Sequence, residues 1–269
     1  MRESFSFGVL PALGPGGSED PSKGISMASS AFDPTLALDP HLAGRLDFRH
    51  RLPTQPPLPP GRHELGLFPE RDATLVVPPA IDPRRPTPLV TLFHGGGGSA
   101  QKILPMLEGH AQARGFLLLA PQSLFPTWDL VIAGNGPDRE RLDTALAAVA
   151  DRFLLDPARF AFAGHSDGGS YTLSLGLANG DRVTHMIVSS AGFLTVQVQA
   201  GAPRIFLSHG TRDEQIPIDR SGRRHARLLR EAGYDLTYVE YDGPHAYNPD
   251  VIARAVDFLF AEGRRGDGD

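Results

Sequence analysis

An α/β fold is expected from the sequence, with a mostly parallel central sheet covered by helices on both faces. Two observations point to it. From residue 88 onward, short apolar runs alternate with longer amphipathic ones, and this alternation builds a parallel sheet between helical layers. One apolar run, residues 160–163, leads into Gly164-His165-Ser166-Asp167-Gly168, a G-x-S-x-G at a strand-to-helix junction. The chain has 269 residues, 41% hydrophobic and 21% charged, which suits a single domain of this class.

In chain order, residues 1 to about 30 are rich in Gly, Ser and Pro without apolar periodicity, and they are expected to be disordered. Met27 offers an alternative start within them. Residues 32–51 are weakly amphipathic but interrupted by Pro34 and Pro40, and residues 53–60 form a Pro-rich connector. Residues 1–60 are therefore expected to be an extension, residues 61–263 the catalytic domain, and residues 264–269 a disordered tail.

Residues 63–68 and 73–78 read as a hairpin around Glu70-Arg71-Asp72. Residues 88–93 are continuously apolar, as in a strand buried on both faces. A helix is expected from an N-cap at Ser99 to Arg114, closed by Gly115, followed by a strand over 116–120. The loop 121–137 is long for a compact domain, which favours a functional role. Residues 138–153 place Leu142, Leu146, Val149 and Phe153 on one helical face, and Asp156-Pro157 breaks the pattern. After the serine, a helix runs to about Asn179-Gly180. Strands follow at 184–189, 204–208 and 235–241, with helices at 217–231 and 249–262.

In sheets of this kind, sites lie beyond the carboxyl ends of the strands. Those ends carry His94-Gly95-Gly96-Gly97-Gly98, then Ser166, then His209-Gly210-Thr211-Arg212-Asp213, then Asp242-Gly243-Pro244-His245. A nucleophile, an acid and a base thus follow one another in the order Ser, Asp, His. A serine hydroxyl needs an adjacent base and an exposed, constrained position to attack, and Gly164 and Gly168 leave room for such a turn.

The runs HGGGG at 94–98, GHSDGG at 164–169, HGTRDEQIP at 209–217 and GPH at 243–245 together resemble the α/β-hydrolase superfamily. The likeness is to its small serine esterases, the phospholipase/carboxylesterase group and the relatives of polyhydroxybutyrate depolymerases and feruloyl esterases. It covers residues 63 to 262. It implies an α/β-hydrolase fold and hydrolysis of carboxylic esters through an acyl-enzyme. By the same resemblance Ser166 is the nucleophile, His245 the base, and Asp213 the residue that orients it. Glu214 and Asp242 compete with Asp213 for that role. The oxyanion hole falls to the N–H groups of Gly96 and Asp167, with Gly97 or Gly95 as alternatives to Gly96. Trp128 and Phe125 lie in the long loop and are expected either to pack in the core or to line the acyl or alcohol pocket. Peptidase, thioesterase and inactive binding-module readings share the same fold.

Other classes are disfavoured. The absence of cysteine excludes disulfides, thiolate zinc sites and a cysteine nucleophile. A formal net charge of -5 offers nothing for nucleic acid or an anionic membrane. No apolar run approaches the ~20 residues of a membrane-spanning helix, and residues 1–5 lack the basic and apolar regions of a secretion signal. The expectation is a cytoplasmic monomer or homodimer acting on a small-molecule ester without metal or cofactor. His94, His165 and His209 are expected to hold loops, because no carboxylate accompanies them at ligand spacing. The glycine run at 95–98 is not followed by the Lys-Ser/Thr pair of a phosphate-binding loop. Roughly 14 residues separate Ser190 from Arg204, too few for a helical cap domain, so an open site is expected.

Overall fold

The computed structural model describes residues 39, 41–132 and 134–261. The expectations for residues 1–30, for Met27 and for the tail at 264–269 lie outside them. Eight strands form one sheet in the order β1-β2-β4-β3-β5-β6-β7-β8. They are β1 Gly61–Glu64, β2 Thr74–Val77, β3 Thr87–Phe93, β4 Leu117–Ala120, β5 Leu155–His165, β6 His185–Ser189, β7 Arg204–Gly210 and β8 Leu236–Tyr241. The expected hairpin is present, and β1–β2 and β2–β4 pair antiparallel. All pairings from β4 through β8 are parallel.

The period of two along each strand sorts the core into two layers. Leu89, Phe160, Phe162, Val188 and Leu207 face one side, where α4 (Pro137–Ala150), α5 (Asp167–Ala178) and α6 (Gly222–Glu231) pack. Val90, Leu92, Ala161, Ala163 and Ile187 face the other, covered by α1 (Ala100–Ile103), α2 (Glu108–Arg114) and α7 (Pro249–Phe260). In β5 the large Phe side chains and the small Ala side chains therefore fall on opposite faces.

Several expected elements differ in detail. The single helix expected over 99–114 is three pieces: α1, a 3-10 turn at Leu104–Met106, and α2. Pro105 lacks the N–H that a continuous helix would use. The flanking signals hold, since Ser99 Oγ accepts from Lys102 N–H at 3.3 Å and Gly115 closes α2 at φ 68°. Asp156-Pro157 does not precede the nucleophile strand but lies within β5, where residues 156–159 are not buried and the pairing with β3 shifts register. A short helix, α3 (Asp129–Ile132), interrupts the long loop.

The segment expected to be an extension is partly integral to the packed body. Ala43, Leu46 and Phe48 are buried, and the Phe48 ring stacks on Phe160 with centroids 5.1 Å apart. Polar bonds fasten the same stretch. Arg45 forms a bidentate pair with Asp181 at 2.7 Å, Asn179 Oδ1 accepts from Leu46 N–H at 2.8 Å, and Asp143 Oδ1 accepts from Phe48 N–H at 2.9 Å. The strap ties the start of the described chain to α4 and to the end of α5. No helix among the described residues is long and apolar enough to cross a membrane.

Candidate active site

Strand β5 runs into the turn that carries Ser166. Ser166 sits at φ 58° and ψ -124°, a conformation that a residue with a Cβ adopts only when its surroundings enforce it. The enforcement is visible. Ser166 N–H donates to Ser189 O at 3.0 Å, and its carbonyl accepts from Ser170 N–H at 3.0 Å. A Cβ on Gly164 would meet Gly168 O at 2.2 Å, and one on Gly168 would meet Phe93 O at 2.1 Å. Both glycines of the motif are therefore required by close backbone contact. The strain of the serine is balanced by the packing of β3, β5 and α5 around it.

The tertiary fold brings the three expected residues into one hydrogen-bonded line. His245 Nε2 lies 2.9 Å from Ser166 Oγ, and His245 Nδ1 lies 2.7 Å from Asp213 Oδ2. With Nδ1 protonated, Nε2 is free to accept the serine proton. The Asp213 side chain is fully buried. Burial alone would raise its pKa, but the bonds from Ile216 N–H at 2.8 Å and from His245 outweigh it and hold the carboxyl below the usual range. The two rivals lie elsewhere. Glu214 is exposed, and Asp242 is an exposed residue paired with Arg212 at 2.6 Å.

The HGGGG run lies along the nucleophile turn. A Cβ on Gly95 would come 3.2 Å from Ser166 Cβ, and one on Gly96 would come 2.5 Å from Asp167 Oδ2. Two glycine N–H groups are already committed, Gly97 to Pro126 O at 2.8 Å and Gly98 to Gly95 O at 3.0 Å. The Gly97 N–H is therefore not free to meet an incoming oxygen. The N–H of Asp167, the first residue of α5, has no intrahelical acceptor. Neither it nor that of Gly96 has an acceptor among the described residues.

Three histidines surround this line. His94 Nε2 lies 2.9 Å from Gln122 Nε2 and 3.1 Å from Ser123 Oγ, while its Nδ1 lies 2.7 Å from Gly95 O. His165 packs against His245 with ring centroids 4.9 Å apart, and its Nδ1 lies 3.1 Å from Ser189 Oγ. Burial, and then the neighbouring His245, push the His165 imidazole down to about 4, so it is neutral near pH 7. His209 Nε2 lies 2.9 Å from Ile216 O and 3.2 Å from Asp213 Oδ2, beside the carboxylate that meets His245. No cluster of three potential metal ligands occurs among the described residues.

The pocket role expected of Trp128 is corrected. The ring is 1% exposed, stacks on Tyr171 at 4.7 Å, and donates from Nε1 to His94 O at 2.8 Å. It is a core residue that supports the glycine loop from beneath, because its large apolar ring is buried and its one N–H has found a carbonyl. Phe125 is 51% exposed and stands on the surface of the same loop, one residue before the Pro126 carbonyl that holds Gly97.

Sequence reading missed Thr127, whose Oγ1 donates to Asp167 Oδ2 at 2.6 Å. It also missed Ser170, whose Oγ accepts from Gly192 N–H at 2.9 Å and so pins the segment after β6 to α5. Gln122 and Ser123 lie just past the end of strand β4, the same kind of position that holds the other residues of the site. Nothing in local spacing marks Thr127 or Ser170.

Comparison with solved structures gives the same architecture. The chain is similar to esterase PE8, with 22% identity and a TM-score of 0.55 over 69% of this chain and 96% of that one. It is similar to fluorophosphonate-binding serine hydrolase F of Staphylococcus aureus, with 15% identity and a TM-score of 0.61 over 76% and 100% of the two chains. It is also similar to an S-formylglutathione hydrolase of Staphylococcus aureus, with 15% identity and a TM-score of 0.59 over 71% and 92%. No family model and no curated protein sequence matches the chain. The chain has an α/β-hydrolase fold, and likeness at these identities speaks to the fold alone.

Proposed function

We propose that this protein is a serine hydrolase that cleaves carboxylic esters through an acyl-enzyme. The observation that carries the reading is the continuous line Ser166–His245–Asp213 at the carboxyl ends of three strands, with the free N–H groups of Gly96 and Asp167 beside the serine. Ser166 Oγ attacks the ester carbonyl while His245 Nε2 takes its proton. The tetrahedral oxyanion is met by the two N–H groups. His245 then protonates the departing alkoxide, and water repeats the sequence to release the acid. Asp213 keeps the imidazole oriented and stabilises its charged form.

No helix lies between β6 and β7, so no cap covers the serine from that side. This favours soluble esters or the exposed ester of a larger molecule. Phe125, on the loop beside the glycine run, is proposed to contact the acyl or alcohol group. The neighbours named as esterases and serine hydrolases support the reaction class.

The test is hydrolysis of p-nitrophenyl esters from acetate to palmitate by the wild type and by Ser166→Ala. Turnover is expected to be highest on short chains and to fall on the order of a million-fold in the variant. Near-normal activity of Ser166→Ala, or failure of the wild type to react with a fluorophosphonate probe, overturns the proposal.

A further inference from the structure

Acyl transfer at Ser166 needs the Asp167 N–H, which any residue except proline supplies. The side chain at that position is not dictated by the chemistry, and here it is a carboxylate. It borders the oxyanion hole. Asp167 Oδ2 lies so close to Gly96 that a Cβ there would come within 2.5 Å, and Gly96 provides the second donor. Thr127 Oγ1 fixes the carboxylate in this place by donating to Oδ2 at 2.6 Å.

The charge is not neutralised. Among the described residues Asp167 has no ion-pair partner and Oδ1 has no donor, while the residue keeps partial exposure. Arg71, on the turn that approaches this loop, is committed to the carbonyls of Ser123 and Phe125. The Asp213 carboxylate lies behind His245 as a second negative group of the site. A substrate carbonyl polarised between Gly96 and Asp167 therefore sits beside an unpaired negative charge, close enough for a charge carried on a short acyl chain to feel its field.

That charge opposes the oxyanion of every ester equally, so it does not discriminate through the carbonyl. It does discriminate through a second charge on the acyl chain. We infer that the Asp167 carboxylate is a specificity-determining group: the site takes esters with neutral or cationic acyl chains and rejects those whose acyl chain carries a carboxylate. The inference rests on the serine esterase reading and names its substrate class.

The experiment uses three p-nitrophenyl esters of equal chain length: the hexanoate, the adipate half-ester and the 6-aminohexanoate. The full-length protein, Asp167→Asn and Asp167→Ser are compared by the ratio of kcat/KM between esters, so a change in overall rate cancels. The wild type is expected to prefer the neutral ester over the anionic one by about tenfold or more, as one nearby charge at intermediate dielectric implies. The cationic ester is expected to match or exceed the neutral one. Both variants should bring the anionic-to-neutral ratio close to one. Raising salt from low concentration to about 1 M should narrow the wild-type ratio but leave the variants' ratios unchanged.

An unchanged ratio in the variants overturns the inference while leaving the esterase reading intact. Should neither variant fold, a wild-type ratio indifferent to salt overturns it as well. Failure of the wild type to hydrolyse any of the three esters overturns the esterase reading, and the inference with it.

Discussion

Acidity at the site is divided between residues by burial and hydrogen bonding, not by sequence proximity to His245. Asp242 lies three residues from His245 yet forms an exposed pair with Arg212. Asp213 lies 32 residues away yet touches Nδ1 from a fully buried position. The two make opposite predictions. Asp213→Asn removes the charge that steadies the imidazolium and presents an amide to Nδ1, so kcat is expected to fall by about 10⁴. Asp242→Asn deletes only an exposed ion pair, of a kind that contributes about 0–1 kcal/mol, and should leave kcat/KM within about twofold. Steady-state kinetics of the two variants on one short ester checks both, and equal losses would overturn the assignment of Asp213.

The strap formed by residues 41–58 and the loop between β4 and α4 show what elements without regular structure do here. The loop is held by reciprocal carboxylate bonds. Asp138 accepts from Leu124 N–H at 2.7 Å and Asp129 N–H at 2.9 Å, while Asp129 accepts from Gly136 N–H at 2.9 Å and Asp138 N–H at 2.8 Å. Burial, and then the charge of Asp138, raise Asp129 to about 6. The strap combines the polar bonds to Asp143, Asn179 and Asp181 with Leu46 and Phe48 packed under α4 and α5. Phe48→Ala is expected to cost about 3–5 kcal/mol by urea unfolding, the usual range for a buried aromatic. Deletion of residues 1–60 should cost at least as much and yield a poorly soluble chain. Full stability of that truncation would show the strap to be dispensable. Residues 32–51 read as a weakly amphipathic part of an extension interrupted by Pro34 and Pro40, and residues 53–60 as a Pro-rich connector, because a few apolar residues in a strap have no period to detect.

Over the whole molecule, buried histidines set the response to acid. Burial lowers His165, His185 and His225 to about 4, and it also lowers His50, His94 and His209. Each remains neutral when folded but takes up a proton on unfolding below its ordinary pKa of about 6.5. Stability from these groups is complete above that pH and is lost as pH falls through their lowered folded values, about 4 for His165, His185 and His225. Asp129, Asp138 and Asp143 are raised by burial and act in the opposite direction, but they are fewer. Unfolding free energy is therefore expected to drop from pH 7 to pH 5, by about 1.4 kcal/mol per pH unit for each net proton taken up. His225 has neither ring nitrogen bonded, so His225→Phe should reduce that slope by about one proton. Urea titrations at several pH values measure it, and a flat profile would contradict the burial of these rings.

The sequence by itself determined the alternation that becomes the sheet, because periodicity and glycine punctuation act over a few residues. It determined the Gly-x-Ser-x-Gly turn at Ser166 for the same reason, since Gly164 is forced by contact within one strand-turn-helix unit, although Gly168 answers to Phe93 on the neighbouring strand. The order Ser, Asp, His at strand ends was legible because a parallel sheet gathers those ends on one side. Only the tertiary structure brings Asp213, rather than Glu214 or Asp242, against His245, because burial and approach to His245 depend on the β7–β8 pairing. It commits the Gly97 N–H to Pro126, and it places Trp128 in the core and Thr127 on Asp167. These outcomes depend on contacts between segments far apart in the chain, and no local pattern encodes them.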